Sequence, residues 1–209
     1  MSRKVLLFDY DGVVGDTESC YSRFWETEGK RFTGCDGFAD KVKGTTLVSI
    51  FERFFPDESV QEEITRAVHE FESSMSYDFI PGVVDFLEEA RRRGFRTALV
   101  TSSDLPKMEA VYARRPEIKV LFDEILTSED FSASKPDPDP YLKAMSRFGA
   151  TPSESVVFED SVNGLKSGKA SGAFVVGLST TNPKDVILGY CDYICEDFKE
   201  IGEIFDAFM

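Results

Sequence analysis

Val5-Leu6-Leu7-Phe8-Asp9-Tyr10-Asp11-Gly12 decides how this chain is read, because an unbroken apolar run delivers two carboxylates directly onto a glycine. Apolar residues without alternation suit a strand covered on both faces, as in a parallel sheet. Gly12 lets the backbone turn at once. Two carboxylates two residues apart at the carboxyl end of such a strand can divide labour, one as nucleophile or metal ligand and the other as proton donor. The pattern also fits a solvated Asp-Gly turn, so later segments must decide between the two.

Three later groups bear on the choice. Thr101 ends the apolar-rich run Phe95 to Val100 and is followed by Ser102, Ser103 and Asp104. A hydroxyl with nearby backbone amides at a strand end can hold a phosphoryl oxygen, while Ser103 or Asp104 caps the next helix, although the cap alone would explain those residues. Lys135 stands in Ser134-Lys135-Pro136-Asp137, where the proline biases it towards an extended backbone at a helix entrance. In isolation it reads as a solvated loop lysine. Glu159-Asp160 ends the apolar run Val156-Val157-Phe158, and paired carboxylates at the tip of a buried strand seldom serve packing.

In order, strand-Asp-x-Asp, strand-Thr, Lys-Pro and strand-Glu-Asp resemble the four signature motifs of the haloacid dehalogenase superfamily. Phe8 to Glu18, FDYDGVVGDTE, is similar to the first motif of the branch with an inserted helical cap, and Phe158 to Gly164, FEDSVNG, is similar to its fourth. The resemblance covers nearly the whole chain and points to the branch that includes beta-phosphoglucomutase and phosphoglycolate phosphatase.

Composition agrees. A chain of 209 residues can bury one large core or a core plus a small insert. A formal charge of −14 argues against nucleic acid or an anionic membrane as partner. No apolar stretch is long enough to span a bilayer, so the expected location is the cytoplasm. The resemblance implies a small phosphate ester as partner, and the chain is expected to be a monomer or weak homodimer. The four cysteines, Cys20, Cys35, Cys191 and Cys195, lack CxxC spacing and are expected to be free thiols.

After Asp78 the apolar runs and helical periods alternate regularly. Helices are expected over about 82–93, from Leu105, over 138–148 and over 162–171, with strands over 95–100, 155–158 and 173–178. This β-α repeat implies a doubly wound, parallel, Rossmann-like α/β core, whose ligands bind at the carboxyl ends of the strands. Residues 17–77 break the rhythm with helical periodicity, in Tyr21, Phe24 and Trp25 and again in Ile50, Phe51, Phe54 and Phe55, and with a third helix over 57–75. They read as an inserted helical cap domain, hinged near Gly15-Asp16 and Asp78–Pro81, on a core of 1–16 and 78–209. The Phe and Trp residues are expected to form the cap's own core, and His69 to lie on its surface. Gly164, Gly168 and Gly172 recur every four residues, which fits close packing of one helix on the sheet.

The resemblance implies a Mg²⁺-dependent phosphatase. Asp9, the backbone carbonyl of Asp11, and Asp160 would hold the ion, with Glu159 completing the shell directly or through water. Asp9 would attack phosphorus to form an aspartyl-phosphate, Thr101, Ser102 and Lys135 would hold the transferring group, and Asp11 would serve as acid and base. Substrate choice would fall to the cap, at Lys43, Gly44 and Thr45. Asp11 argues against the dehalogenase and phosphonate-cleaving branches, which lack a second aspartate in the first motif. A phosphosugar mutase shares every core residue, but Tyr21 and Leu47 stand where the beta-phosphoglucomutase branch has a histidine and a phosphate-gripping arginine. A non-catalytic receiver-like regulator would use an Asp cluster, Thr and Lys, but has no cap insert and no use for Asp11 as acid.

Overall fold

The computed structural model describes residues 4–42 and 47–201. By its internal contacts the chain divides into two units, Thr17–Ser76 and the residues on either side of it. The flanking unit is built on six parallel strands, β1 (Val5–Phe8), β2 (Arg96–Val100), β3 (Glu124–Leu126), β4 (Ser155–Glu159), β5 (Phe174–Leu178) and β6 (Tyr193–Cys195), in the order β3-β2-β1-β4-β5-β6. The order reverses beside β1, between β2 and β4. In open α/β sheets that reversal is where a crevice opens at the carboxyl ends of the strands.

In chain order the helices of Thr17–Ser76 are α1 (Glu18–Thr33), α2 (Phe38–Val42), α3 (Leu47–Phe54) and α4 (Glu58–Ser74). Those of the α/β unit are α5 (Val83–Arg92), α6 (Leu105–Arg114), α7 (Ile118–Leu121), α8 (Asp139–Phe148), α9 (Val162–Ser171) and α10 (Lys184–Ile187). One face of the sheet, through Val5, Leu7, Val157 and Val175, packs on Tyr141, Ala144 and Met145 of α8 and Leu165 of α9. The other face carries an aromatic cluster. Phe8 stacks on Phe158 with ring centroids 4.6 Å apart and planes 7° apart, and Phe86 of α5 meets both rings edge-on. Phe198 packs against the same three rings.

That stack has a consequence at the next residue. Phe8 is in register with Phe158, so Asp9 and Glu159 emerge side by side, and the Asp9 amide donates to the Phe158 carbonyl at 3.1 Å. The aromatic cluster therefore aligns the two carboxylate-bearing strand ends.

The helical unit has its own core of Phe24, Trp25, Phe38, Val42, Ile50, Phe55, Ile64 and Val68. The aromatic residues of its sequence thus pack on one another, as their helical spacing suggests. It ends at Ser76. Tyr77 is buried in the α/β unit against Tyr10, with ring centroids 6.4 Å apart, and takes a left-handed φ of 53°, unusual for a bulky residue. The apolar residues from Ile118 to Leu126 divide into a helical turn and a strand of three residues, because Asp123 turns back to accept the Thr97 amide at 2.8 Å. His69 is exposed and the four cysteines are free.

Phe8→Ala removes the ring shared by all members of the aromatic cluster and should cost about 3–5 kcal/mol. Urea unfolding of the variant beside the wild type measures this as a drop in midpoint.

Candidate functional site

β1 delivers Asp9 at its end, and the chain then folds into a tight turn in which the amides of Val14 and Gly15 both donate to the Tyr10 carbonyl, at 2.9 and 2.8 Å. Gly12 sits in this turn at φ +72°, where a Cβ would lie 2.0 Å from Asp160 Oδ2. Only glycine meets both demands, so the residue that ends the D-x-D-G motif is what lets β1 and β4 present their carboxylates together. Thr180 donates to the Gly12 carbonyl at 2.5 Å and Asn182 to that of Asp160 at 3.1 Å, which ties the loop after β5 to the same place.

Lys135 is buried, not solvated. Its ammonium donates to Asp9 Oδ1 at 2.7 Å, to Glu159 Oε1 at 2.8 Å and to the Val100 carbonyl at 3.0 Å. Burial works against the charged amine, but Asp9 and Glu159 more than offset it and raise its pKa above the ordinary value. Glu159 is fully buried. Its Oε1 also accepts from the Tyr141 hydroxyl at 2.8 Å, and its Oε2 accepts from the Asp160 and Ser161 amides and the Ser161 hydroxyl. At Gly164, in the first turn of α9, a Cβ would lie 1.8 Å from Glu159 Oε1. Of the three spaced glycines, Gly168 faces Val157 and Val175 of the sheet, whereas Gly164 makes room for a carboxylate.

Thr101 is buried at the end of β2, and its hydroxyl oxygen accepts the Ser103 amide at 3.0 Å. Ser102 is exposed, and no hydrogen bond among the described residues ties its side chain to the carboxylates. The same segment supplies Ser103, expected only as a candidate helix cap, a role that Asp104 takes, and Lys107, which no sequence motif singles out. Ser103 Oγ donates to Asp11 Oδ2 at 3.2 Å, and Lys107 Nζ lies 2.5 Å from the same oxygen. Lys43, Gly44 and Thr45 lie outside the described residues.

The structure thus brings Asp9, Lys135, Glu159 and Asp160 into one cluster, with Asp11 and Thr101 on the adjoining turns. Asp9, Glu159 and Asp160 each bring an oxygen within 4.8 Å of the others, and Asp160 Oδ1 is buried with no hydrogen-bond partner. An all-oxygen donor set with an orphaned buried carboxylate oxygen fits a hard divalent cation. Charge gives the same answer. With all four carboxyls ionised, Asp9, Asp11, Glu159 and Asp160 face two ammonium groups, on Lys135 and Lys107, and one divalent ion would neutralise the surplus of two negative charges.

Without a cation, burial first, and then the charges of Glu159 and Asp11, push the Asp9 carboxyl up to about 7 against the opposing pull of Lys135. Burial, together with Glu159 and Asp9, raises Asp160 as well. The folded metal-free protein therefore holds protons that the unfolded chain releases near 3.8, so this contribution to stability is lost as pH rises from about 4 to about 7. A divalent cation must displace those protons. At a fixed, low concentration of Mg²⁺ or Mn²⁺ the rise in melting temperature should be larger at about pH 8 than at about pH 5.5. Differential scanning fluorimetry at the two pH values checks this.

Comparison with known proteins identifies the family. The family model described as haloacid dehalogenase-like hydrolase matches residues 6–178, a span from β1 to the end of β5. A phosphorylated carbohydrates phosphatase of Thermotoga maritima is 30% identical over 181 residues, covering 81% of this chain and 82% of that protein. Hexitol phosphatase A of Escherichia coli is 29% identical over 221 residues, covering 98% and 99%. An HAD hydrolase of Entamoeba histolytica has the same fold, with a TM-score of 0.84 at 21% identity over 99% of this chain and 98% of that one. The chain belongs to the haloacid dehalogenase-like hydrolase family.

Proposed function

We propose that the chain is a Mg²⁺-dependent phosphatase that hydrolyses small phosphorylated metabolites, sugar phosphates or small phospho-acids, through an aspartyl-phosphate on Asp9, with residues 17–76 as the inserted cap. Relatives along most of the chain's length are phosphatases of phosphorylated carbohydrates and hexitols. Hydrolases of this family generally use a divalent metal, and the oxygen cluster fits one. The observation that carries the reading is Asp9 itself, a carboxylate held by a buried lysine at the reversal point of the sheet.

Phosphate monoesters resist attack because an anionic centre repels an anionic nucleophile, so a site must neutralise charge and hold the attacker in line. Mg²⁺ bound among Asp9, Asp160 and the Asp11 carbonyl would supply that neutralisation. Lys135 fixes one oxygen of Asp9, leaving the other to attack phosphorus, and the same ammonium can take on a phosphoryl oxygen as charge moves away from Asp9. Thr101 accepts a backbone amide and so has its hydroxyl proton to give to the phosphoryl group. As the P–O bond breaks, its electron pair goes to the leaving oxygen, which takes a proton from the Asp11 carboxyl. Asp11 then takes a proton from the water that attacks the aspartyl-phosphate. Glu159 acts through Lys135, because its oxygens are already occupied by Lys135, Tyr141 and the start of α9.

A phosphosugar mutase must also grip a second phosphate. In the helical unit Tyr21 donates its hydroxyl to Glu72 at 2.6 Å, and Leu47 opens α3, so neither position offers a cation. Hydrolysis is the better reading.

Asp9→Asn removes the nucleophile and a metal ligand together, and kcat should fall on the order of 10³-fold or more. Turnover of p-nitrophenyl phosphate with Mg²⁺, with excess chelator and with the variant tests this; full rates under chelator or in the variant would end the reading. Asp11→Asn should keep the Mg²⁺ titration midpoint while slowing alkyl esters more than aryl esters, whose leaving groups need no proton. Steady-state kinetics over a series of esters reads that difference.

A further inference from the structure

Lys107 occupies a position that its own helix disfavours. It lies in the first turn of α6, where Asp104 caps the helix by accepting the Lys107 amide at 2.9 Å. A cation there faces the positive end of the helix dipole. The side chain is also buried, with 9% of its surface exposed, while Leu105 and Pro106 just before it lie open to solvent. Both effects work against a charged amine, and a long flexible lysine would ordinarily reach water. It turns inward instead, to Asp11 Oδ2 at 2.5 Å, where the Ser103 hydroxyl converges at 3.2 Å.

The two carboxylates of the D-x-D motif are thus served by separate lysines, Asp9 by Lys135 and Asp11 by Lys107. Asp11 is the more open of the two, with 34% of its side chain exposed against 13% for Asp9. An exposed carboxylate on a turn would ordinarily sample several rotamers, and this one stands among like charges that repel it.

We propose that Lys107, with Ser103, is a positioning residue for Asp11. The ammonium holds one oxygen of the carboxyl so that the group stays aimed at the leaving oxygen of the substrate. The inference rests on the phosphatase reading and deepens it. The benefit of Lys107 is greatest where the leaving group needs a proton, and for an alkyl ester, such as that of a sugar or polyol, it does.

The test is rapid-quench, single-turnover release of alcohol from glycerol 1-phosphate and from p-nitrophenyl phosphate with saturating Mg²⁺. Lys107→Met, which keeps the length and removes the charge, should slow the alkyl ester about 10- to 100-fold more than the aryl ester, at or below the ~10²-fold lower end of what a positioned general acid contributes, because the acid itself remains. KM and the Mg²⁺ titration midpoint should stay near wild type. Lys107→Arg, which keeps the charge in a different shape, should recover part of the alkyl rate. Ser103→Ala, a smaller change less demanding of the fold, should show the same selectivity more weakly. Equal losses on the two esters, or none, in both Lys107→Met and Ser103→Ala would overturn the inference while leaving the phosphatase reading intact. A wild-type protein that hydrolyses neither ester would overturn both.

Discussion

A buried ammonium joins three strand ends in this protein, and the rest of the site is arranged around it. Lys135 reaches Asp9 after β1, the Val100 carbonyl at the end of β2 and Glu159 at the end of β4. Removing a charge of this kind from its partners leaves uncompensated carboxylates inside the protein, a defect of about 3–5 kcal/mol. Holding it requires that the strand ends stay level to within a fraction of a residue. The stacked pair Phe8 and Phe158 provides that alignment one residue before the carboxylates begin. Packing on one face of the sheet thus sets the electrostatics at its edge.

Overall charge and local charge have opposite roles here. The chain carries −14, so its long-range field repels anionic substrates, and attraction must come from within a few ångströms of the site. Two lysines and the place for one divalent cation supply it. Burial and mutual repulsion raise Asp9 and Asp160 in the metal-free protein, and a cation held by these carboxylates would relieve that repulsion. Tyr141, whose hydroxyl is held protonated by burial and by Glu159, donates into the cluster without adding charge.

Much of the fold was legible in sequence because the central strands are long apolar runs and the helices between them carry complete periods. The strand before Asp9, that before Thr101 and that before Glu159 could each be read from where apolar residues stop and polar ones begin. Elements shorter than one clear period were not: α2, α10 and the three-residue strands β3 and β6 are fixed by tertiary pairing, as when Asp192 turns back to accept the Val175 amide at 2.8 Å. Side chains that reach the site from helices were equally hidden. No motif marks Tyr141 or Lys107. The one sequence signal for Lys107 was a cation three residues after the capping Asp104, where the helix dipole disfavours it. Gly164 stands out by its spacing, but its role depends on where Glu159 turns, which no local pattern records.

Asp9 as the group that carries the phosphoryl is the central claim, and it can be tested on the protein directly. The wild-type chain is mixed with Mg²⁺ and a sugar phosphate that it hydrolyses, quenched in acid during turnover and digested, and the peptide that spans Asp9 is weighed by mass spectrometry. A phosphoryl group on Asp9 that disappears once the substrate is exhausted is the expected result. Steady turnover with the Asp9 peptide unmodified, and an undiminished rate in Asp9→Asn, would contradict it.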